Sequence, residues 1–149
     1  GSYHIIYNAY LRDRVLATSS KAHYNEMNVL SMHALIGAYK PEGYAWVDEL
    51  CEVLGQNVDW ACRFIDEHFE GVQVFHPEGT YMLFLDCTEW CAAHGRDVDW
   101  LLAEAWRVGV DYQDGRPFLG PCHIRVNLAL PLARVQEAFG RLDRYVFNA

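Results

Sequence analysis

The sequence predicts an α+β fold: a small antiparallel sheet covered on one face by helices and preceded by a long helix. Three observations point there. Strand-like runs fall late in the chain, at 72–75, 81–87 and 122–129. An apolar stripe of Val47, Leu50, Cys51, Leu54, Val58, Ala61, Cys62 and Ile65 repeats at the spacing of one helix face. Two further helical segments, 97–108 and 131–146, can cover one face of a sheet built from those runs, which makes a two-layer sandwich.

The elements follow in order. Residues 3–7, "YHIIY", read as a short buried strand. Residues 11–20 read as a helix with Leu11, Val15 and Leu16 on one side. A polar break, "KAHYNEMN", precedes Asn28, which is placed to cap a helix over 29–39 striped by Val29, Met32, Leu35 and Ile36. Pro41 interrupts it, since proline cannot continue a helix interior without cost. The long helix then ends near Gly71, which can take the left-handed conformation common after a helix. "VQVF" and "YMLFLDC" flank the turn "HPEGT" and read as a hairpin. Asp97 caps the next helix and Gly109 ends it. "VDYQDGRPFLG" reads as a loop with a turn at Asp114-Gly115. The strand "CHIRVNLA" (122–129) follows, and Pro131 opens the last helix, where its missing N–H costs nothing.

Composition narrows the class. Hydrophobic residues make up 52% of the 149 and charged residues 21%, enough apolar material for a core and too much for a disordered chain. The net charge of −8 gives no general attraction for nucleic acid or an anionic membrane, so neither is expected as a partner. No apolar run approaches the roughly 20 residues that span a bilayer. The five cysteines are odd in number and not spaced as a small secreted disulfide framework, so they read as reduced thiols of a cytoplasmic protein. The chain enters "YHIIY" with no lead-in. Its Gly-Ser start is either a cloning scar or the mark of a piece cut from something larger.

Four places could carry chemistry. On the strand 122–129, Cys122, Ile124, Val126 and Leu128 point one way and His123, Arg125, Asn127 and Ala129 the other. By alternation alone the polar set is a solvated sheet face. A guanidinium on a rigid strand beside a cleft would instead clamp a carboxylate through two parallel hydrogen bonds, with Asn127 as a neutral donor beside it. "SSK" at 19–21 imitates a Schiff-base lysine motif, but no predicted strand or glycine cradle accompanies Lys21. "CTEWCAAH" sets Cys87, Cys91 and His94 at zinc-like spacing without further ligands, and the two cysteines equally suit a buried helix face. Asp86 ends a strand, where capping a turn is its ordinary work. Asp48, Glu49 and Asp66 lie off the apolar stripe and read as a solvated face.

Several motifs taken together resemble one family. "PEGTYMLFLD", then a helix, then "VGVDYQDGRPF" and "GPCHIRVNLALPLARVQEAFGRL" are similar to the C-terminal part of class I/II aminotransferases, pyridoxal phosphate enzymes of fold type I. "NVLSMHALIGAY" and "WVDELCEVLGQNVDW" match the start of that family's small domain and the long helix linking it to the large domain. The Arg-x-Asn-x-Ala-x-Pro run at 125–131 is the most specific piece. The nearest branch is the one that holds cystathionine β-lyases, or carbon–sulfur lyases, beside true aminotransferases. "GSYHIIYN" resembles the strand that follows the cofactor lysine in that branch.

The resemblance implies that residues 1–27 are a strand and helix of the large domain and that 28–149 are the small domain with its linking helix. It implies that Arg125 binds the substrate α-carboxylate, whereas Tyr81 and Asp86 match positions with a structural role. The family's Schiff-base lysine, the aspartate facing the pyridine nitrogen, the tyrosine near the ring oxygen and the phosphate-binding serines have no counterpart here. The chain alone is therefore expected to have no catalytic residue, no bound cofactor and no activity. The full-length enzyme would use pyridoxal 5'-phosphate on an amino acid, as a homodimer, for transamination or for β-elimination. The rival from another class is a stand-alone α+β module that holds a small carboxylate through Arg125.

Overall fold

In a computed structural model, residues 4–22 and 27–148 are described, and they divide into two compact units with the boundary between Glu49 and Leu50. The first unit carries two helices, α1 (Ala9–Ala22) and α2 (Val29–Ala38), and the beginning of α3 (Pro41–His68). Asn28 caps α2 as expected: its side-chain oxygen accepts from the N–H of Ser31 at 2.9 Å. Asn8 does the same for α1, accepting from the N–H of Leu11 at 3.0 Å, so that helix starts two residues before the predicted one. The strand expected at 3–7 is a correction. Tyr3 lies outside the described residues, and residues 4–8 have no regular structure. Ile5 is 68% and Tyr7 91% exposed, so the segment is not buried either. A strand persists only where neighbouring backbone groups pair with it, and among the described residues none does. The apolar stripes of α1 and α2 also stay open: Leu11, Leu16, Val29, Met32, Leu35 and Ile36 are all exposed.

The second unit holds the sandwich. After α3 come β1 (Gln73–Val74), β2 (Met82–Asp86), α4 (Thr88–His94), α5 (Val98–Arg107), β3 (Gln113–Asp114), a 3-10 turn (Arg116–Phe118), β4 (His123–Asn127) and α6 (Leu132–Leu142), which runs on into a π-helical turn (Asp143–Phe147). The strands form one antiparallel sheet in the order β1-β2-β4-β3. The fold class is thus α+β, with the small antiparallel sheet that the sequence indicated. The hairpin expected over 72–87 is present, with Gln73 opposite Asp86. Gly71, at φ +80°, makes the reversal between α3 and β1, and its carbonyl accepts from the N–H of Trp90 at 3.0 Å.

The sheet is apolar on one face and polar on the other. Leu83 and Leu85 of β2 and Ile124 and Val126 of β4 are buried. They join Val98, Leu101 and Ala105 of α5, Val135, Phe139 and Leu142 of α6, and Val58, Ala61, Cys62 and Ile65 of α3 in one core. Two large polar aromatics brought inside are hydrogen-bonded. Trp90 Nε1 donates to the carbonyl of Phe147 at 3.1 Å, and the Tyr112 hydroxyl donates to the carbonyl of Leu101 at 2.9 Å. Asp97 caps α5 by accepting from the N–H of Trp100 at 2.8 Å. Asp97→Ala is expected to cost about 1 kcal/mol, read as a lower urea midpoint at unchanged slope.

Candidate functional site

The register of the sheet decides which side chains share its polar face. Phe84 and Gln113 both stand opposite Arg125, on either side of it. His123 stands opposite Asp86 and Asn127 opposite Met82. Arg125 therefore sits mid-strand in β4, with a neighbour on each flank, above an apolar face that is fully packed. It borders an open cleft of about 450 Å³ whose lining includes Tyr81, Met82, Asp111, Gln113, Arg125 and Asn127.

The direct contacts of the guanidinium are neutral. Its Nη1 donates to the Gln113 side-chain oxygen at 3.1 Å, and its carbon lies 4.3 Å from the centre of the Phe118 ring. Among the described residues no carboxylate comes within 4.0 Å of it, although acidic residues outnumber basic ones by 20 to 12. Arg116, Arg107, Arg134 and Arg141 each pair with Asp or Glu, whereas Arg63, Arg96 and Arg144, like Arg125, make no such pair among the described residues. A half-buried guanidinium with donors left over and a cleft before it is suited to a carboxylate. Asn127 contributes less than its position suggested. Its oxygen accepts from the N–H of Ala129 at 2.8 Å and shapes the end of the strand, which leaves only its NH₂ group for the cleft.

The other candidates have structural work. Asp86 accepts from the N–H and the hydroxyl of Thr88 at 2.9 and 2.5 Å, the turn-forming role expected of it. Partial burial pushes its pKa up, but the two Thr88 bonds and the His123 ring outweigh that and hold the carboxyl below its ordinary value. The side chain and N–H of Arg116 likewise hold Asp114 low. Both carboxyls bind protons more weakly folded than unfolded. Their contribution to stability is therefore present above the unfolded pKa, near 4, and lost as pH falls through the lower folded values. The double variant Asp86→Asn, Asp114→Asn is expected to show a smaller drop in urea midpoint between pH 6 and pH 3.5 than the parent chain.

Tyr81 serves β4 through its backbone, its carbonyl accepting from the N–H of Leu128 at 2.9 Å. Cys87 and Cys91 are buried, and burial pushes the Cys91 thiol up to about 12, far from a reactive thiolate. His94 stacks on Trp90 and bonds the Trp90 carbonyl at 2.8 Å. No group of His, Cys, Asp and Glu able to hold a metal occurs among the described residues. Lys21 lies in the last turn of α1, and Lys40 between α2 and α3.

Sequence reasoning missed a buried residue that fastens the segment beside the site. Asn57 of α3 is fully buried and donates from its side-chain nitrogen to the carbonyls of Leu128 at 2.9 Å and Leu130 at 2.8 Å. It fastens the segment just beyond Arg125 and Asn127. Asparagine inside an otherwise apolar helix face was the available signal, since a buried amide needs partners.

No protein-family model matches the chain. Solved structures do. A pyridoxal phosphate-bound protein from Clostridium difficile 630, described as a putative aminotransferase, is 25% identical with a TM-score of 0.83 over 93% of this chain and 35% of that one. Cystalysin from Treponema denticola, which contains a pyridoxal 5'-phosphate cofactor, is 26% identical with a TM-score of 0.75 over 94% of this chain and 35% of its own. The structural neighbours are thus pyridoxal phosphate-dependent aminotransferases and carbon–sulfur lyases of fold type I. Within that class, a Mycobacterium tuberculosis protein named "Putative cystathionine beta-lyase" is 31% identical over 118 residues, 68% of this chain and 29% of that protein, which is the branch the sequence resemblance indicated. The chain spans less than a third of the length of that relative.

Pyridoxal phosphate requires a lysine at its aldehyde and N–H groups around its phosphate. Among the described residues that line the Arg125 cleft there is neither a lysine nor a glycine. The lining residues of this chain do not by themselves fit the cofactor.

Proposed function

We propose that the chain is part of a pyridoxal phosphate-dependent enzyme acting on an amino acid, and that it contributes Arg125 to bind the substrate α-carboxylate. The observation that carries this is the uncompensated guanidinium at an open cleft. In this reading residues 28–149 are the small domain with its linking helix, and 1–27 belong to a larger domain. The span of about a third of its relatives and the exposed apolar stripes of α1 and α2 support it. The cofactor's lysine and phosphate cradle belong to the remainder of the enzyme, so the chain alone is inactive. The active enzyme is a cytoplasmic homodimer.

Arg125 needs nothing from the cofactor to do its part. It holds the carboxylate in one plane and so sets the direction of the substrate's Cα–H bond, and a misplacement of about 1 Å there can cost on the order of 100-fold in rate. Transamination is the reaction we assign. β-Elimination of a thiol is the second reading, favoured by the name of the curated relatives. Product analysis of the full-length enzyme separates them: a keto acid with a new amino acid marks transamination, whereas pyruvate, ammonia and thiol mark elimination. A coding sequence that begins near Tyr3 would remove both readings in favour of a stand-alone carboxylate-binding module.

A further inference from the structure

We propose that Gln113 and Phe118 are positioning residues for Arg125, holding its guanidinium as a charged but unpaired fork aimed at the cleft. The inference rests on Arg125 being the carboxylate binder and adds how the protein makes it one. An arginine has four rotatable side-chain bonds, and ordering it at the moment of binding weakens the anion complex. Here two contacts on different sides order it beforehand. Gln113 takes one Nη1 hydrogen at 3.1 Å, and the Phe118 ring lies against the guanidinium face, 4.3 Å from centre to carbon. Neither contact carries negative charge. A glutamate at 113 would make the same hydrogen bond but cancel the charge, so the amide is the one partner of this shape that orders the fork and leaves it cationic. Asp111, the carboxylate that lines the same cleft, makes no ion pair with it among the described residues.

The segment that delivers these two side chains is itself fastened at several points. Gln113 lies in β3, paired in register with Arg125. Arg116 binds Asp114 at 2.8 Å and Asp99 of α5 at 2.6 Å, which ties the turn to a core helix. The turn closes on β4 at Gly120, where a Cβ would fall 2.5 Å from the Phe84 ring and 2.6 Å from the His123 side chain. Only glycine allows that approach. A loop of ordinary mobility would not need two ion pairs and a glycine contact to seat one exposed phenylalanine. A positioning role for Phe118 does need them.

The test uses the 149-residue chain, isotope-labelled, with acetate as the probe; the readouts are the Arg125 Nε–H resonance and, for every variant including Arg125→Ala, the backbone amide shifts of the cleft residues Tyr81, Met82, Gln113 and Asn127. In the parent chain that resonance is expected to lie upfield of the arginines that face no ring, from the Phe118 ring current, and to move on acetate titration. Phe118→Ala should abolish the upfield shift and weaken acetate roughly 3- to 10-fold at an unchanged urea midpoint. Phe118→Tyr should restore both, because a ring face is back. Gln113→Glu should weaken acetate about 5-fold or more by supplying an internal carboxylate. Acetate affinities of Phe118→Ala and Gln113→Glu equal to the parent, with Arg125→Ala silent, would overturn the positioning roles and leave Arg125 as the binder. An Arg125→Ala chain that binds acetate as the parent does would instead remove the reading of Arg125, and this inference with it.

Discussion

Arg125→Ala in the full-length enzyme is expected to lower kcat/KM for its amino acid substrate by roughly 100- to 1,000-fold. Two losses combine. The substrate carboxylate enters the cleft without its charged, two-pronged partner, and the Cα–H bond loses its fixed direction. Arg125→Lys keeps the charge but presents a single ammonium that cannot form two parallel bonds, so it is expected to recover only part of the loss, about tenfold. The fold should not register either change. The guanidinium lies on the polar face of β4, while the strand's stability resides in Ile124 and Val126 beneath it. An unfolding free energy within about 0.5 kcal/mol of the parent is expected for both variants from urea denaturation, which separates a binding defect from a folding one.

Asn57→Ala should show the opposite profile, a large stability loss with an indirect effect on the site. The fully buried side-chain amide serves two carbonyls, that of buried Leu128 and that of half-exposed Leu130. Its removal takes a donor from both carbonyls, of which that of Leu128 keeps its bond from the Leu130 N–H, and leaves a small cavity, and a destabilisation of about 1–3 kcal/mol is expected from chemical denaturation. Asn57→Asp should be at least as damaging, because a carboxylate cannot donate to either carbonyl and would be buried with its charge. The segment these bonds secure begins one residue after Asn127, so hydrogen exchange at Leu128 and Leu130 should quicken in Asn57→Ala before exchange in the centre of β2 does.

The sequence carried the sandwich because its signals are local. Period-two alternation in 122–129 separates Ile124 and Val126 from Arg125, and Asp97 and Asn28 announce the helices they cap. What it hid depends on pairing at a distance. Gln113-Asp114 has no alternation to read, so it passes for loop, yet its pairing with β4 is what brings Gln113 to Arg125. Phe118 reads as one more aromatic in a turn, and only the folded chain lays it on the guanidinium. The run at 3–7 shows the converse. "YHIIY" has every local mark of a strand, but no strand among the described residues pairs with it. Arg125 itself was ambiguous by alternation, since a solvated face and a substrate clamp look alike in one strand. The motif that follows it and the neutral contacts around it are what support the clamp we propose.

The most direct measurement of the central claim is a comparison of ligands in the full-length enzyme. The amino acid it turns over and the corresponding amine, which lacks only the α-carboxylate, are titrated against the parent and Arg125→Ala. The parent should prefer the amino acid by about 100-fold or more, and the preference should collapse towards unity in the variant, because the lost contact is the one the amine never made. A preference that survives intact in Arg125→Ala would place carboxylate recognition elsewhere and contradict the account.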